Sequence, residues 1–150
     1  MTQLKLQGTV GIKADRATVF AFLTDPDRIG PCLPKVQAIR KLPNGHFEAT
    51  ARVGKGFLSA SFVLDCAFTD LVAPDRAAIR ATGKAKGSAV DGTARMTLRD
   101  LDAGGTAVDW TADVEISGLV AKVGEGRLRG GADKMITQTF KRVRKQLKAA

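Results

Sequence analysis

The stretch LRGGADKMITQTFKRVRKQL, residues 128–147, decides how the rest of the chain folds. At 100° per residue, Leu128, Ala132, Met135, Ile136, Thr139, Phe140, Val143 and Leu147 share one broad face. Lys134, Lys141, Arg144, Lys145 and, just beyond, Lys148 fall opposite, with Arg142 at the edge. The pattern predicts a long amphipathic helix with a basic outer side. Extended backwards, the count fails, because Leu119, Val120 and Val123 land far from the apolar face. A break or kink near Gly124–Gly126 is the physical expectation. It accounts for part of a glycine load at 118, 124, 126, 130 and 131, each costing a helix interior about 1 kcal/mol relative to alanine. Gly131, at the edge of the apolar face, is expected to leave space there.

What this helix must cover is a run of strands. Leu4, Leu6, Val10 and Ile12 alternate with polar residues, with Gly8 among them, and predict a half-buried first strand. Asp15 offers an N-cap to a short helix whose apolar side is Val19, Phe20 and Leu23. The stretch DPDRIGPCLP (25–34) reads as a second short helix or turn. Strand then follows strand: 35–42 and 46–54 around the PNG turn, 58–69, 76–81, 93–99 and 108–116. Leu58, Phe62, Leu64, Met96, Trp110 and Val114 are expected to point inward. Alternation on nearly every strand means one wet and one dry face, as in an antiparallel sheet. The terminal helix is the one element long enough to cover the dry face. The fold class is therefore α+β in a single domain over 1–150, a curved sheet of about seven strands with one or two short helices after the first.

The dry face is unusually small-chained. Ala49, Ala51, Ala60, Ala77, Ala81, Ala94 and Ala112 point inward with Gly8, and the chain has one tryptophan and no tyrosine. Close packing is the rule in interiors. Two arrangements answer to such a lining: an apolar cavity or channel, or a closer approach of helix and sheet. For the cavity, the lining residues are expected to be Phe20, Leu58, Phe62, Met96, Trp110, Leu128, Gly131, Met135 and Ile136.

The formal net charge is +9, from 24 basic and 15 acidic residues. Six of the basic residues lie in 134–148 without an acid, so the basicity belongs mainly to the helix. Lys134, Lys141, Arg142, Arg144, Lys145 and Lys148 form a patch suited to anionic lipid or to an acidic protein surface. Single-strand nucleic-acid recognition needs exposed aromatics, and most of the seven phenylalanines alternate inward. One histidine, His46, and two cysteines, Cys32 and Cys66, make no metal-ligand spacing. No nucleophile stands with a base, and Asp65, Asp109, Asp113 and Glu115 fall on wet faces, so no catalytic residue and no required cofactor is assigned. GKAKG (83–87) lacks the strand-to-helix setting of a phosphate loop and reads as a solvated turn. No run approaches a membrane span, and the N-terminus is not laid out as a signal peptide, so a cytoplasmic protein is expected.

The order of elements resembles the helix-grip fold of the START and polyketide-cyclase superfamily. Within it, the chain looks like the carbon monoxide dehydrogenase G-subunit family. The resemblance is carried by DPDRIGPCLPKV (25–36), FEATARVGKGFLSASF (47–62), GKAKGSAVDGTARMTL (83–98) and GLVAKVGEGRLRGGADKMITQTF (118–140). It departs at Lys35, where the family usually has glycine, and at Arg127, usually apolar. The resemblance implies a non-catalytic carrier or adaptor holding a quinone- or lipid-like molecule. It also implies molybdenum-containing dehydrogenase subunits as partners and a peripheral place at the inner face of the membrane. The alternative is a polyketide-cyclase-like enzyme acting on an apolar substrate in the same cavity.

Overall fold

The computed structural model describes all residues except Lys86 and Ala150, with Lys148 and Ala149 described as helix backbone only. Seven strands form one antiparallel sheet: β1 (Thr2–Ile12), β2 (Val36–Lys41), β3 (Phe47–Val53), β4 (Ala60–Val72), β5 (Arg76–Ala85), β6 (Ser88–Asp100) and β7 (Thr106–Gly118). Their order is β1-β7-β6-β5-β4-β3-β2. The six later strands are a meander, and β1 closes beside β7, with Thr2 opposite Ile116 and Ile12 opposite Thr106. Register shifts at Val36/Ala38 and Phe68/Asp70 insert bulges, which bend strands and increase their twist.

Between β1 and β2 lie α1 (Arg16–Leu23), α2 (Pro26–Ile29) and a 3-10 turn, Gly30–Cys32. Asp15 caps α1 as its residue type predicts, accepting from the Thr18 amide. The long helix α3 runs Glu125–Ala149. It does not continue from 118. A 3-10 turn, Leu119–Val123, comes first, and Gly124 at φ 100° breaks the chain where the two apolar stripes disagree. Gly118, at φ 83°, is required by a close approach: a Cβ there would collide with the Gly87 carbonyl oxygen.

Two expectations about strand limits need correction. Leu58 is not a strand residue; it ends a 3-10 turn, Gly56–Leu58, and β4 starts at Ala60. Apolar parity runs through this turn unchanged, so alternation alone extends the strand too far. Within 83–87, Gly83, Lys84 and Ala85 belong to β5, because inward small residues pair as readily as large ones.

The core is divided. One cluster joins Ile12, Val19, Phe20, Phe22, Leu98, Val108, Val143 and Leu147 around the C-terminal half of α3. A second joins Leu4, Ala60, Phe62, Ile116, Val120 and Leu128 around its start. A third, Phe47, Ala49 and Cys66, packs under β2 and β3. Beside the sheet, α3 follows β1: Arg129 donates to the Lys5 carbonyl (2.8 Å) and Arg144 to the Gly11 carbonyl (3.0 Å). Its close backbone approaches are to β1 and to the turns Gly30–Cys32 and Leu119–Val123, while the middle strands stand farther off.

Candidate ligand-binding site

Between the two clusters gripped by α3 lies a small-chained floor. Ala94 stands opposite Ala112, Ala81 opposite Gly92 and Gly83 opposite Val90. Met96 and Trp110, paired across β6 and β7, bound this floor at one end; Val90 and Val114 bound it at the other. All point toward α3 by strand parity. Yet Ala81, Ala94, Ala112, Val114, Met96 and Trp110 remain half-buried, whereas Ala49, Ala51, Ala60 and Ala77, also inward, are buried. Facing them, Met135, Ile136 and Phe140 on α3 are half-buried as well. Side chains this short leave the mid-sheet incompletely covered.

The lining contains a single polar oddity. Trp110 Nε1 is buried and has no hydrogen-bond partner among the described residues. The indole lies over Gly8: a Cβ built there would stand 3.0 Å from Nε1 and 2.9 Å from Cζ2. Glycine at position 8 is thus what admits the ring.

The nine expected lining residues are distributed as follows. Phe62 and Leu128 pack together in the cluster at the start of α3. Phe20 is buried in the other cluster, with Met96 against it. Trp110, Met135 and Ile136 belong to neither cluster and are half-buried, and Leu58 lies on its turn, also half-buried. Gly131 is exposed, with nothing within 4 Å of where a Cβ would stand, so the sheet does not press on it.

The basic residues of α3 are likewise exposed but fall on two flanks. Arg144 folds over the end of β1, beside Gly11, Ile12 and Lys13. Arg142 and Lys145 lie on the other flank. With Phe22, Asp27, Arg28, Pro31, Cys32 and Gln146 they line an open cavity of about 480 Å³. Sequence reasoning missed this cavity because its walls come from α1, α2 and α3, about 115 residues apart. Arg28 sits 4.7 Å over the Phe22 ring there. Lys134 and Lys141 are solvated, and the Lys148 side chain lies outside the described residues.

The thiols are quiet. Burial pushes Cys32 above its ordinary pKa and Cys66 up to about 11, where the neighbouring Asp65 carboxylate adds to the effect. His46 Nδ1 lies 3.0 Å from Asp65 Oδ1 on the outer face, away from the floor. The Asp109 carboxyl is held below the usual range by hydrogen bonds from Arg99 and then Thr9, also on the outer face. Two buried polar residues have structural partners: Thr106 donates to the Ala14 carbonyl, and Ser88 Oγ accepts from the Val120 amide.

The family pattern of the carbon monoxide dehydrogenase G-subunit (CoxG) matches residues 8–148. No curated protein matches the chain. Among solved structures, a conserved protein from Geobacillus kaustophilus superposes with a TM-score of 0.88 at 20% identity, over 97% of this chain and 96% of that one. A START superfamily protein from Mycobacterium smegmatis superposes with a TM-score of 0.71 at 12% identity, over 97% of each chain. At these identities the likeness is one of fold.

Proposed function

The chain belongs to the CoxG family, named for the carbon monoxide dehydrogenase G-subunit, and from that premise we propose that it is a non-catalytic carrier of a quinone- or lipid-like molecule. The molecule occupies the space between the mid-sheet floor and α3. The observation that carries this reading is the half-exposure of inward Ala81, Ala94 and Ala112 beneath half-buried Met135 and Ile136. An apolar guest would cover all of them, and an acceptor oxygen on it would satisfy the unpaired Trp110 Nε1 donor. The carrier serves a molybdenum-containing dehydrogenase, as the family implies. The two basic flanks at the end of α3 supply a surface complementary to an acidic partner.

The test is uptake of a short-chain quinone followed through Trp110, the only tryptophan, together with organic extraction and mass spectrometry of the purified protein. Saturable quenching of Trp110 is expected. Ala94→Leu and Ala112→Leu should fill the floor and weaken uptake at least tenfold while leaving the fold intact. Uptake unchanged in both variants would move the ligand elsewhere. Turnover of an apolar substrate would favour the cyclase-like alternative.

A further inference from the structure

The end of the molecule where β7 passes into α3 is chemically unlike the rest of the surface. Among the described residues, five large apolar side chains are exposed, and three of them, Met1, Phe57 and Leu119, stand at this end. Phe57 is 97% exposed, which leaves essentially the whole ring in solvent. Single exposed apolar residues are ordinary. Phe57 and Leu119 stand on neighbouring turns, with Met1 at the same end of the sheet. The antiparallel order puts the start of β1, the turn Gly56–Leu58 and the turn Leu119–Val123 together there, and the two turns are direct neighbours.

The presentation of Phe57 is built into the turn. The Leu58 amide donates to the Lys55 carbonyl and the Ser59 amide to the Gly56 carbonyl. Ser59 Oγ also donates to Gly56 (2.7 Å) and accepts from Arg52 (2.9 Å). Gly54, at φ 101°, has no room for a side chain against the Leu58 carbonyl. Leu119 is set in the same way, its amide bonded to the Gly87 carbonyl. A turn held this firmly keeps its phenyl ring out of the core.

The charge around this end is mainly positive. Lys35, Lys55, Lys84 and Lys122 are exposed and take no part in an ion pair among the described residues. The segments 52–59 and 117–124 contain no acid. Of the acids near at hand, Glu125 is paired with Arg129 at 3.5 Å, and Glu115 stands exposed opposite Gln3 on the outer face, outnumbered by the four lysines. An apolar tip ringed by free ammonium groups matches the headgroup region of an anionic bilayer, which takes apolar side chains below and cations at its surface.

We infer that the Phe57–Leu119 end docks on anionic membrane, with the rings and methyls entering the interface and the lysines meeting lipid phosphates. The inference rests on the carrier reading for its purpose, since an apolar cargo is drawn from a bilayer, but not for its test. It assigns the membrane contact to the end opposite the basic flanks of α3. That helix starts beside Leu119 and runs about 37 Å at 1.5 Å per residue, so a membrane lying across the tip leaves the basic flanks at its far end clear of the lipid.

The experiment is co-sedimentation at low salt with vesicles of phosphatidylcholine alone and of phosphatidylcholine mixed with phosphatidylglycerol. The parent should bind the mixed vesicles. Phe57→Ser with Leu119→Ser should weaken binding about tenfold through lost apolar burial. Lys55→Gln, Lys84→Gln and Lys122→Gln together should weaken it about a hundredfold. A helix variant, Lys134→Gln, Lys141→Gln and Lys145→Gln, should bind nearly as the parent does. In a Trp110→Phe background, Phe57→Trp should shift to the blue on mixed vesicles and be quenched by brominated lipid. Tip variants that bind like the parent, a helix variant that alone loses binding, or a parent that ignores both vesicles would each overturn the inference. A parent that takes up quinone but not vesicles refutes this docking and leaves the carrier; one that docks by the tip but takes up no apolar molecule refutes the carrier and leaves the docking.

Discussion

Gly8→Ala probes the interior with a single methyl. Gly8 faces Trp110 across the β1–β7 ladder. The added Cβ would lie 2.9 Å from Cζ2 and 3.0 Å from Cε2 and Nε1. Ordinary carbon contacts are about 3.5–4.0 Å, so the ring has to withdraw by roughly half an ångström or more. The short inward side chains next to it, Ala112 and Ala94, leave it most freedom on that side. Overpacking costs about 1–3 kcal/mol, and the free direction puts this case near 1 kcal/mol.

Two assays read the result. Urea unfolding should show a lower midpoint with an unchanged slope. Emission from Trp110 should change before any unfolding, and quinone uptake should fall because the ring now intrudes on the cargo. Trp110→Phe should rescue Gly8→Ala, with a coupling of about 0.5–2 kcal/mol in a double-variant cycle. The Trp110→Phe change alone also removes the unpaired Nε1 donor, which offsets part of the volume lost. If Gly8→Ala unfolds at the parent's midpoint with unaltered emission, the indole does not lie over β1 and the described floor is wrong.

Three further outcomes follow from glycine and thiol environments. Gly130→Ala and Gly131→Ala, each helical with open space around the new methyl, should raise stability by about 0.5–1 kcal/mol in thermal or urea unfolding. Gly118→Ala should do the opposite, losing 3 kcal/mol or more on an order-of-magnitude estimate, because φ is 83° and the Gly87 carbonyl blocks the methyl. Cys66 holds its proton in the folded state up to about pH 11, while the unfolded thiol loses it near the ordinary 9.0. The folded state then binds more protons at Cys66 between these limits, so the Cys66 contribution to stability is level below pH 9 and falls as pH rises toward 11. The fall is about 3 kcal/mol at about 1.4 kcal/mol per pH unit, and Cys66→Ala should flatten that limb of the stability–pH curve.

The fold was legible because its signals are local and periodic. Strand parity placed Leu4, Phe62, Leu98, Val108 and Ile116 in the core, and helical periodicity placed Leu128, Val143 and Leu147 there. The change of apolar face near Gly124 gave the break before α3. Boundaries failed where a turn kept strand parity, as at Leu58. The site was less legible, since alternation says which way a side chain points but not how far away the opposite wall lies. Ala77 and Ala94 look alike in the sequence; one is buried at the gripped end, the other stays half-buried at mid-sheet. The basic stripe on α3 read as one face and falls on two flanks, because β1 and the Gly30–Cys32 turn both abut the helix. Phe57 breaks the alternation that Leu58 and Phe62 obey, and its neighbours Gly54 and Gly56 were the available signal for a displayed ring.

On the carrier reading, the division of the core is what would let the protein hold an open middle. A void penalises stability in proportion to its volume, so it has to be offset where packing is dense. Here the two halves of α3 are each seated in a separate cluster, with Val143 and Phe62 wholly buried as the anchors. Hydrogen bonds from Arg129 and Arg144 pin the helix to β1 at both ends of the strand. The helix is thus supported like a beam at its ends, and the span between is where the proposed ligand would lie without moving the supports. Filling the span with a ligand then adds contacts to Ala81, Ala94, Ala112, Met135 and Ile136 without repacking either cluster. Binding on this plan raises stability by mass action while leaving the sheet register unchanged. A ligand that instead altered amide-exchange protection around Val143 or Phe62 would show that the ends take part in binding, and the separation of support from site would not hold.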